Sequence, residues 1–257
     1  MNIRLDLAYD GRPFRGFARQ PDVRTVQGDI EAALGKVLGA EPQTYVAGRT
    51  DAGVHAVGQV MSIPGVPDDI DTVKLRDTLN VMLQPSISIW GLTQVPDDFH
   101  ARFSARSRTY IYAILQSEVP DPFLANTTLY HREPLDVAAM NEAAGHLTGP
   151  HDFSSFGRVP DQEASAERVL FELRCTRDGE LIRIRARANA FIQQMVRSLV
   201  GTLLHVGEGR MRPEEVPAVL AARDRSAAGP VAPAHGLCLV SVEYDSAWKV
   251  PPGDLSA

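Results

Sequence analysis

The chain has 257 residues, 44% of them hydrophobic, and a formal net charge of -6 at pH 7, which suits a compact protein of one or two domains with a sizeable core. Its two cysteines, Cys175 and Cys238, lie far apart and outside any C-x-x-C pair, which argues against a disulfide framework and a zinc site. No signal-peptide core or membrane-length apolar run is present, so we expect a soluble, cytoplasmic protein with no membrane partner.

The distribution of basic charge is more informative than the net charge. An acidic total argues at first against a nucleic-acid partner. Only three lysines occur, however, and the arginines crowd into the segments 12–24, 102–108 and 183–187. Arginine is the residue best suited to bidentate phosphate contact and to stacking on bases. A preference for arginine codons in a GC-rich genome explains an arginine excess equally well, but it does not explain the clustering.

The first half of the chain predicts one repeat of a familiar pattern. Apolar and polar residues alternate over Ile3–Tyr9, which indicates a strand. Thr25 is placed to cap a helix with one apolar stripe, and Gly39 to end it. Further elements are predicted over Gln43–Ala47 (strand), Gly58–Ile63 (strand), Asp71–Leu83 (helix, with Leu75, Leu79 and Met82 inward) and Ser86–Val95 (strand). The resulting order, β-α-β-β-α-β, is the ferredoxin-like pattern.

The second half predicts a looser copy of the same pattern. Strands are predicted over Thr109–Leu115, Val169–Thr176, Leu181–Ala188 and Leu237–Tyr244, with the middle two joined as a hairpin at Asp178-Gly179. Helices are predicted over Asp136–Leu147, after a cap at Asn189, and near Pro213.

We therefore expect an α+β fold of two ferredoxin-like halves. A mixed, mainly antiparallel sheet with helices packed on it would join them, with an active-site cleft between the halves. No low-complexity linker marks the boundary, which we expect within residues 97–107. The predicted subdomains are residues 1–100 and 101–257.

The segment Gly48–His55, which reads G-R-T-D-A-G-V-H, is the strongest candidate for a site. Its glycines permit tight turns and close approach of a ligand, and Arg49 is near enough in sequence to favour the charged form of Asp51. A loop aspartate paired with a surface arginine is the simpler interpretation. A metal pair of Asp51 and His55 is disfavoured because no further ligand cluster follows, so His55 is interpreted as a structural hydrogen-bonding residue.

Three later segments combine arginine with apolar or aromatic residues. Tyr110 follows a basic run at the entry of a strand, a composition typical of base-stacking surfaces, whereas we expect Tyr112 to fill the core. The strand 181–188 places three arginines on one face, for which a solvated surface is the default interpretation. Arg197 interrupts an apolar helix and needs a carboxylate partner if it is buried, with Asp51 as the natural candidate and exposure of its charged end as the alternative.

Four motifs together carry a family resemblance. They are G-R-T-D-A-G-V-H, D-F-H-A-R-F-S-A-R-S-R-T-Y-I-Y, N-A-F-I-Q-Q-M-V-R-S-L-V-G and A-H-G-L-C-L-V. In this order they resemble the bacterial tRNA pseudouridine synthase A family, over nearly the whole chain. The resemblance implies a homodimer that needs no cofactor or metal and isomerises uridine to pseudouridine at positions 38, 39 and 40 of the tRNA anticodon stem-loop.

The resemblance also implies a role for individual residues. Asp51 corresponds to the catalytic nucleophile, Tyr110 to the residue that packs on the flipped-out uracil, and Arg197 to the arginine paired with the aspartate. Arg49 corresponds to a basic residue that helps to lever out the base, and Leu239 or Leu237 to the apolar wall of the uracil pocket. Two other hypotheses are a non-catalytic RNA-binding module, which leaves the surroundings of Asp51 unexplained, and a metal-dependent hydrolase.

Overall fold

The computed structural model describes residues 1–159 and 165–245. The chain forms two compact units. Among these residues, unit 1 comprises 1–106 and 239–245, and unit 2 comprises 107–159 and 165–238. The sequence assigns everything after residue 100 to the second subdomain, whereas the chain re-enters unit 1 at its last strand.

Unit 1 contains the predicted element order. Its elements are β1 (Asn2–Tyr9), α1 (Val26–Leu38), β2 (Tyr45–Val46), β3 (His55–Ile63), α2 (Thr72–Leu83) and β4 (Ile87–Val95), joined by β10 (Leu237–Tyr244). The strands lie in the order β4-β1-β3-β10, with β2 paired to β3, and β1 is antiparallel to both β3 and β4. Strand β1 is a central strand, and its alternate residues Ile3, Leu5 and Leu7, which project from the same face of the sheet, are almost completely buried.

Local capping chemistry explains where the helices of unit 1 begin and end. The Thr25 side chain accepts a hydrogen bond from the backbone N–H of Gly28, and Gly39 ends α1 in the left-handed conformation at φ 72°. The Asp71 side chain accepts from two N–H groups in the first turn of α2. Helix α2 buries Leu75, Leu79 and Leu83. The prediction that Met82 faces inward is wrong, since Leu83 takes that place and Met82 is exposed.

Unit 2 repeats the first five elements of the pattern and adds two short strands, β6 and β7, and a further helix, α5. Its elements are β5 (Ala105–Gln116), β6 (Leu129–His131), α3 (Val137–Leu147), β7 (Gly149–Asp152), β8 (Glu167–Asp178), β9 (Leu181–Ala188), α4 (Met195–Gly207) and α5 (Val216–Ala222). The strands lie in the order β5-β9-β8-β7, and β6 adds in parallel to β5. Strands β8 and β9 form the predicted hairpin, and Gly179 in its turn has φ 58°. Helix α3 packs on β8 and on α4.

The N-terminal cap predicted at Asn189 is wrong. Helix α4 begins at Met195, after Gln194 in the left-handed conformation and without a side-chain cap. The Asn189 amide oxygen instead accepts from the backbone N–H groups of Val169 and Ala190, and its carbonyl accepts from Arg108. Asn189 therefore ties the end of β9 to β8 and β5, and a helix cap is not its role.

The described residues confirm an α+β fold with ten mostly antiparallel strands and helices packed on them. Among these residues, no helix combines the length and apolar character that crossing a membrane requires.

Backbone contact between α4 and the segment 229–233 requires glycine in the middle of the helix. A Cβ at Gly201 would lie 1.7 Å from the carbonyl oxygen of Pro230, and the backbone N–H of Gly229 donates to the Thr202 hydroxyl at 2.9 Å. Residues 229–233 therefore run directly across α4.

We predict that Gly201→Ala destabilises unit 2 by about 3 kcal/mol or more, because backbone rather than a mobile side chain must shift. The matched control is Gly145→Ala in α3, where a Cβ meets no atom within 4 Å and should stabilise the helix by about 0.5–1 kcal/mol. Urea unfolding measures both values. Equal stability of the two variants would contradict the close approach of the backbones.

Candidate active site

Asp51 opens a tight turn between β2 and β3. The Val54 N–H donates to the Asp51 carbonyl oxygen at 3.2 Å, and Gly53 within this turn has φ 80°. A positive φ at the third position of a β-turn favours glycine. The Asp51 side chain is partly exposed, whereas Thr50 before it and Val54 after it are buried. The turn thus holds a partly exposed Asp51 on an anchored backbone.

The segment after β1 packs directly on this turn. A Cβ at Gly11 would lie 2.0 Å from the Val54 carbonyl oxygen, so only glycine permits this approach. Gly16, at φ 105°, lies against the backbone of Thr50 and Ala52. The Phe17 N–H donates to the Thr50 carbonyl oxygen at 3.0 Å. Sequence reasoning missed Gly11 and Gly16, because their role depends on a segment about 40 residues further along the chain.

A buried polar cluster supports the Asp51 turn from the sheet. The fully buried Gln59 donates from its amide nitrogen to the Gly48 carbonyl oxygen at 2.8 Å and to the Tyr9 hydroxyl at 3.3 Å. The Tyr9 and Thr50 hydroxyl oxygens lie 2.8 Å apart and share a hydrogen bond. Buried polar groups persist when their partners are present. Tyr9, Gln59 and Thr50 therefore fix the backbone on the N-terminal side of Asp51.

His55 holds the turn to the segment after β1. Its Nδ1 accepts from the Gly11 N–H at 3.3 Å and lies 3.3 Å from a carboxylate oxygen of Asp10. Asp10 also binds Arg12, whose hydrogen bond outweighs the effect of burial and lowers the pKa of that carboxyl. The interpretation of His55 as a structural hydrogen-bonding residue is confirmed.

The other candidate site residues near or in unit 1, Arg49 and Leu239 (or Leu237), differ in their exposure to solvent. Arg49 is exposed, and within residues 1–159 and 165–245 it makes no ion pair, so proximity in sequence to Asp51 does not become a salt bridge. Leu239 is completely buried in β10, and Leu237 is buried two residues earlier on the same strand face.

Tyr110 belongs to unit 2 and lies in β5, where it pairs with Ala186 of β9. The Phe191 ring meets the Tyr110 ring edge-on, with centroids 5.2 Å apart and an interplanar angle of 89°. Phe191 is only partly buried. Tyr110 is itself buried, with 7% of its surface exposed, and the edge-to-face contact helps to fix the plane of its ring. Tyr112, two residues later, is fully buried, as expected for a core residue.

Arg197 lies in the first half of α4 and is partly buried. Its Nε donates to the Ala232 carbonyl oxygen at 2.6 Å, and the Ala232 N–H donates back to the Arg197 carbonyl oxygen at 3.1 Å. The neighbouring Pro233 carbonyl accepts from the Tyr112 hydroxyl at 2.9 Å. Burial raises the pKa of Tyr112, and the positive charge of Arg197 partly opposes that shift.

The three arginines on one face of β9 have partners on β8 and in the hairpin turn. Arg185 lies 3.1 Å from Glu172, and Arg183 lies 3.3 Å from Asp178. The Arg187 guanidinium lies over the Phe171 ring at 5.1 Å. Intramolecular partners thus offset the repulsion between like charges, and this face needs no bound anion to be stable.

Comparison with known proteins defines the family. Residues 143–245 match a family model described as tRNA pseudouridine synthase. A tRNA pseudouridine synthase A from Burkholderia vietnamiensis is 43% identical over 257 residues, which cover 100% of this chain and 95% of the relative. The protein of the same name from Bordetella petrii is 44% identical over 254 residues, 98% of this chain and 94% of the relative.

The chain belongs to the tRNA pseudouridine synthase A family. The reaction class of this family is isomerisation. A solved Cbf5-Nop10-Gar1 complex contains a chain matched at 13% identity and TM-score 0.31, over 79% of this chain and 54% of that one, a likeness too distant to support any assignment.

We predict that Gln59→Leu costs about 1–3 kcal/mol of stability in this synthase-family protein, because the Gly48 carbonyl and the Tyr9 hydroxyl lose a buried donor. The control is Gln94→Leu, an exposed glutamine on β4, which should change stability by less than about 0.5 kcal/mol. Urea midpoints compare the two. A Gln59 variant as stable as the Gln94 variant would show that the cluster does not hold the turn.

Proposed function

We propose that this protein isomerises uridine to pseudouridine in tRNA, at positions 38, 39 and 40 of the anticodon stem-loop. The observation that carries the proposal is identity of 43% across the entire chain to a relative named for tRNA pseudouridine synthesis. The anchored Asp51 turn supports it, because glycine-dependent packing and a buried polar cluster converge on one partly exposed carboxylate.

The chemistry requires a nucleophile and retention of the base. The bond between uracil N1 and the sugar C1′ breaks, the base turns, and C5 bonds to C1′ while C5 loses a proton and N1 gains one. Atoms and electrons balance without an oxidant, a reductant or water. We assign the nucleophile's role to Asp51, whose carboxylate acts either by a bond to one fragment or by stabilising the cation that forms.

The uracil must leave the base stack before Asp51 can act, which costs a few kcal/mol. We assign the compensating stack to Tyr110. The edge contact with Phe191 helps to fix the plane of the Tyr110 ring. Little side-chain entropy is therefore lost when a base stacks on this ring. We assign the exposed Arg49 as the residue that helps to lever out the base, and Leu239 or Leu237, both buried in β10, as the apolar wall of the uracil pocket.

Arg197 is assigned as the arginine that pairs with the catalytic aspartate. The reciprocal hydrogen bonds with Ala232 support this role, because they orient the guanidinium through its Nε, and a guanidinium matches the geometry of a carboxylate. A lysine at position 197 would lack the Nε–H group that donates to the Ala232 carbonyl oxygen. As an isomerisation the proposed reaction needs no cofactor or metal, and we propose that the protein acts as a homodimer.

Asp51→Asn tests the proposal directly. The substitution keeps the size of the side chain and removes its nucleophilic charge, so pseudouridine formation in an unmodified tRNA transcript should fall below detection while tRNA binding stays within about threefold. The matched control is Asp69→Asn, an exposed aspartate of the same unit, which should be fully active. Retained activity in the Asp51 variant would remove this residue from the reaction. An inactive wild-type protein would remove the function itself.

Arg197→Ala should lose both stability and activity. Its removal leaves the Ala232 carbonyl without its side-chain donor, which we expect to cost about 1–3 kcal/mol in urea unfolding. Arg132→Ala, at an exposed arginine of unit 2, should change stability by less than about 0.5 kcal/mol. A fully active Arg197→Ala enzyme would contradict the proposed pairing with the aspartate.

A further inference from the structure

Three aromatic rings form a stack on unit 1 that the proposed reaction does not use. We call Tyr45, His100 and Phe103 the aromatic stack. The His100 ring lies between the other two, with centroids 4.3 Å from Tyr45 and 4.4 Å from Phe103, and each pair is tilted by 37°. Phe103 is the outer ring and is 77% exposed.

The aromatic stack is held rigidly by its own turn. His100 Nδ1 accepts from the N–H groups of Arg102 at 3.1 Å and Phe103 at 3.3 Å. The His100 N–H donates to the Ser104 hydroxyl, and the Ser104 N–H donates back to the His100 carbonyl. The orientation of the His100 ring and the backbone at Phe103 are therefore set before any partner arrives, and preorganised groups lose less entropy on binding.

The electrostatics of the stack favour a neutral, flat ligand. Because Nδ1 is an acceptor, the proton of the neutral imidazole is on Nε2. Burial, with a smaller contribution from the charge of Arg102, lowers the pKa of His100, which keeps the ring uncharged at pH 7. The Arg102 guanidinium lies 5.6 Å from the centroid of the Phe103 ring. The exposed Asp97 and Asp98 precede the turn, so the local charge is mixed.

A single exposed phenylalanine is ordinary on a protein surface and needs no ligand. Phe103 differs because it ends a preformed ring stack and lies beside an arginine. Aromatic rings combined with arginine are the usual means by which proteins hold unpaired bases of RNA, since every base offers a flat π-face. Aliphatic or strongly charged ligands would gain little from this arrangement.

We propose that the aromatic stack binds one unpaired nucleobase of the RNA substrate on the outer face of Phe103. The inference rests on the proposed function, since it takes RNA as the substrate, and it adds a second base contact besides the uridine assigned to Tyr110. With mixed charge around the ring, the contact is a stacking contact, whose strength does not depend on the release of counterions from phosphates.

Phe103→Ala is the test, with Phe103→Leu and Phe103→Trp as companions. Affinity for an unmodified tRNA transcript should fall about tenfold in the Ala and Leu variants, because base stacking on an aromatic ring is lost, and should be kept or improved in the Trp variant. The factor should be the same at 50 and 200 mM salt. At saturating tRNA, the rate of pseudouridine formation should match that of the wild type, so the effect falls on KM and spares kcat.

The matched control is Phe123→Ala, at a phenylalanine that is 92% exposed and has no ring partner among the residues that the structure describes. It should bind tRNA as the wild type does. Unchanged affinity in Phe103→Ala would overturn the proposal. A changed oligomeric mass with unchanged tRNA affinity would also overturn it, by assigning the ring to a protein interface.

The two proposals fail separately. An active wild-type enzyme whose tRNA affinity is indifferent to Phe103 would remove only the stacking site. A wild-type protein that binds the transcript through Phe103 but forms no pseudouridine would remove only the proposed function. Absence of any tRNA binding by the wild type would remove both.

Discussion

The packing of backbone on backbone at the Asp51 turn is the constraint on which the proposed chemistry depends. A reactive carboxylate has to be accessible, and accessible loops are usually mobile. In this protein, contacts on two sides hold the backbone of the Asp51 turn in place. Gly11 lets the segment after β1 touch the Val54 carbonyl, and Gln59 binds the Gly48 carbonyl from within the sheet. The backbone around Asp51 is therefore held in place, as the role proposed for its side chain requires.

In unit 2, backbone hydrogen bonds position a charged side chain, that of Arg197. Arg197 is placed on an apolar helix, where a long flexible side chain has many competing rotamers. The backbone of Ala232 accepts from Arg197 Nε and donates to its carbonyl, and Gly201 brings the segment 229–233 close enough for this exchange. In both units a glycine permits a close approach of two backbones, and the approach positions a charged side chain.

Sequence patterns predicted the features whose causes are local. The cap at Thr25 depends on the next three residues, so it could be foreseen. Asn189 has the same capping chemistry, but its amide binds Val169 on the neighbouring strand, a partner that the local sequence does not reveal. The short strands β6 and β7 escaped prediction because three or four residues carry no period and become strands only beside β5 and β8.

The same division applies to the candidate site. The run around Asp51 could be recognised because its residue types are unusual for a packed loop. The residues that support it could not, since Tyr9 and Gln59 continue ordinary strand patterns and reveal their role only when β1 and β3 lie side by side. The sequence likewise predicted Phe191 as part of a helix. Its ring instead contacts Tyr110, on a strand 81 residues earlier in the chain.

The ion pairs of the arginines explain how clusters of arginine are compatible with an acidic net charge. Arg12, Arg106 and Arg185 each bind a carboxylate of their own unit, so much of the clustered positive charge is already compensated. A protein of this kind gains little from long-range attraction to phosphates. In the proposed function, recognition of the RNA therefore rests on groups of fixed geometry. The role proposed for Tyr110 fits this requirement, because a stacked base needs a flat and stationary surface more than it needs a positive field.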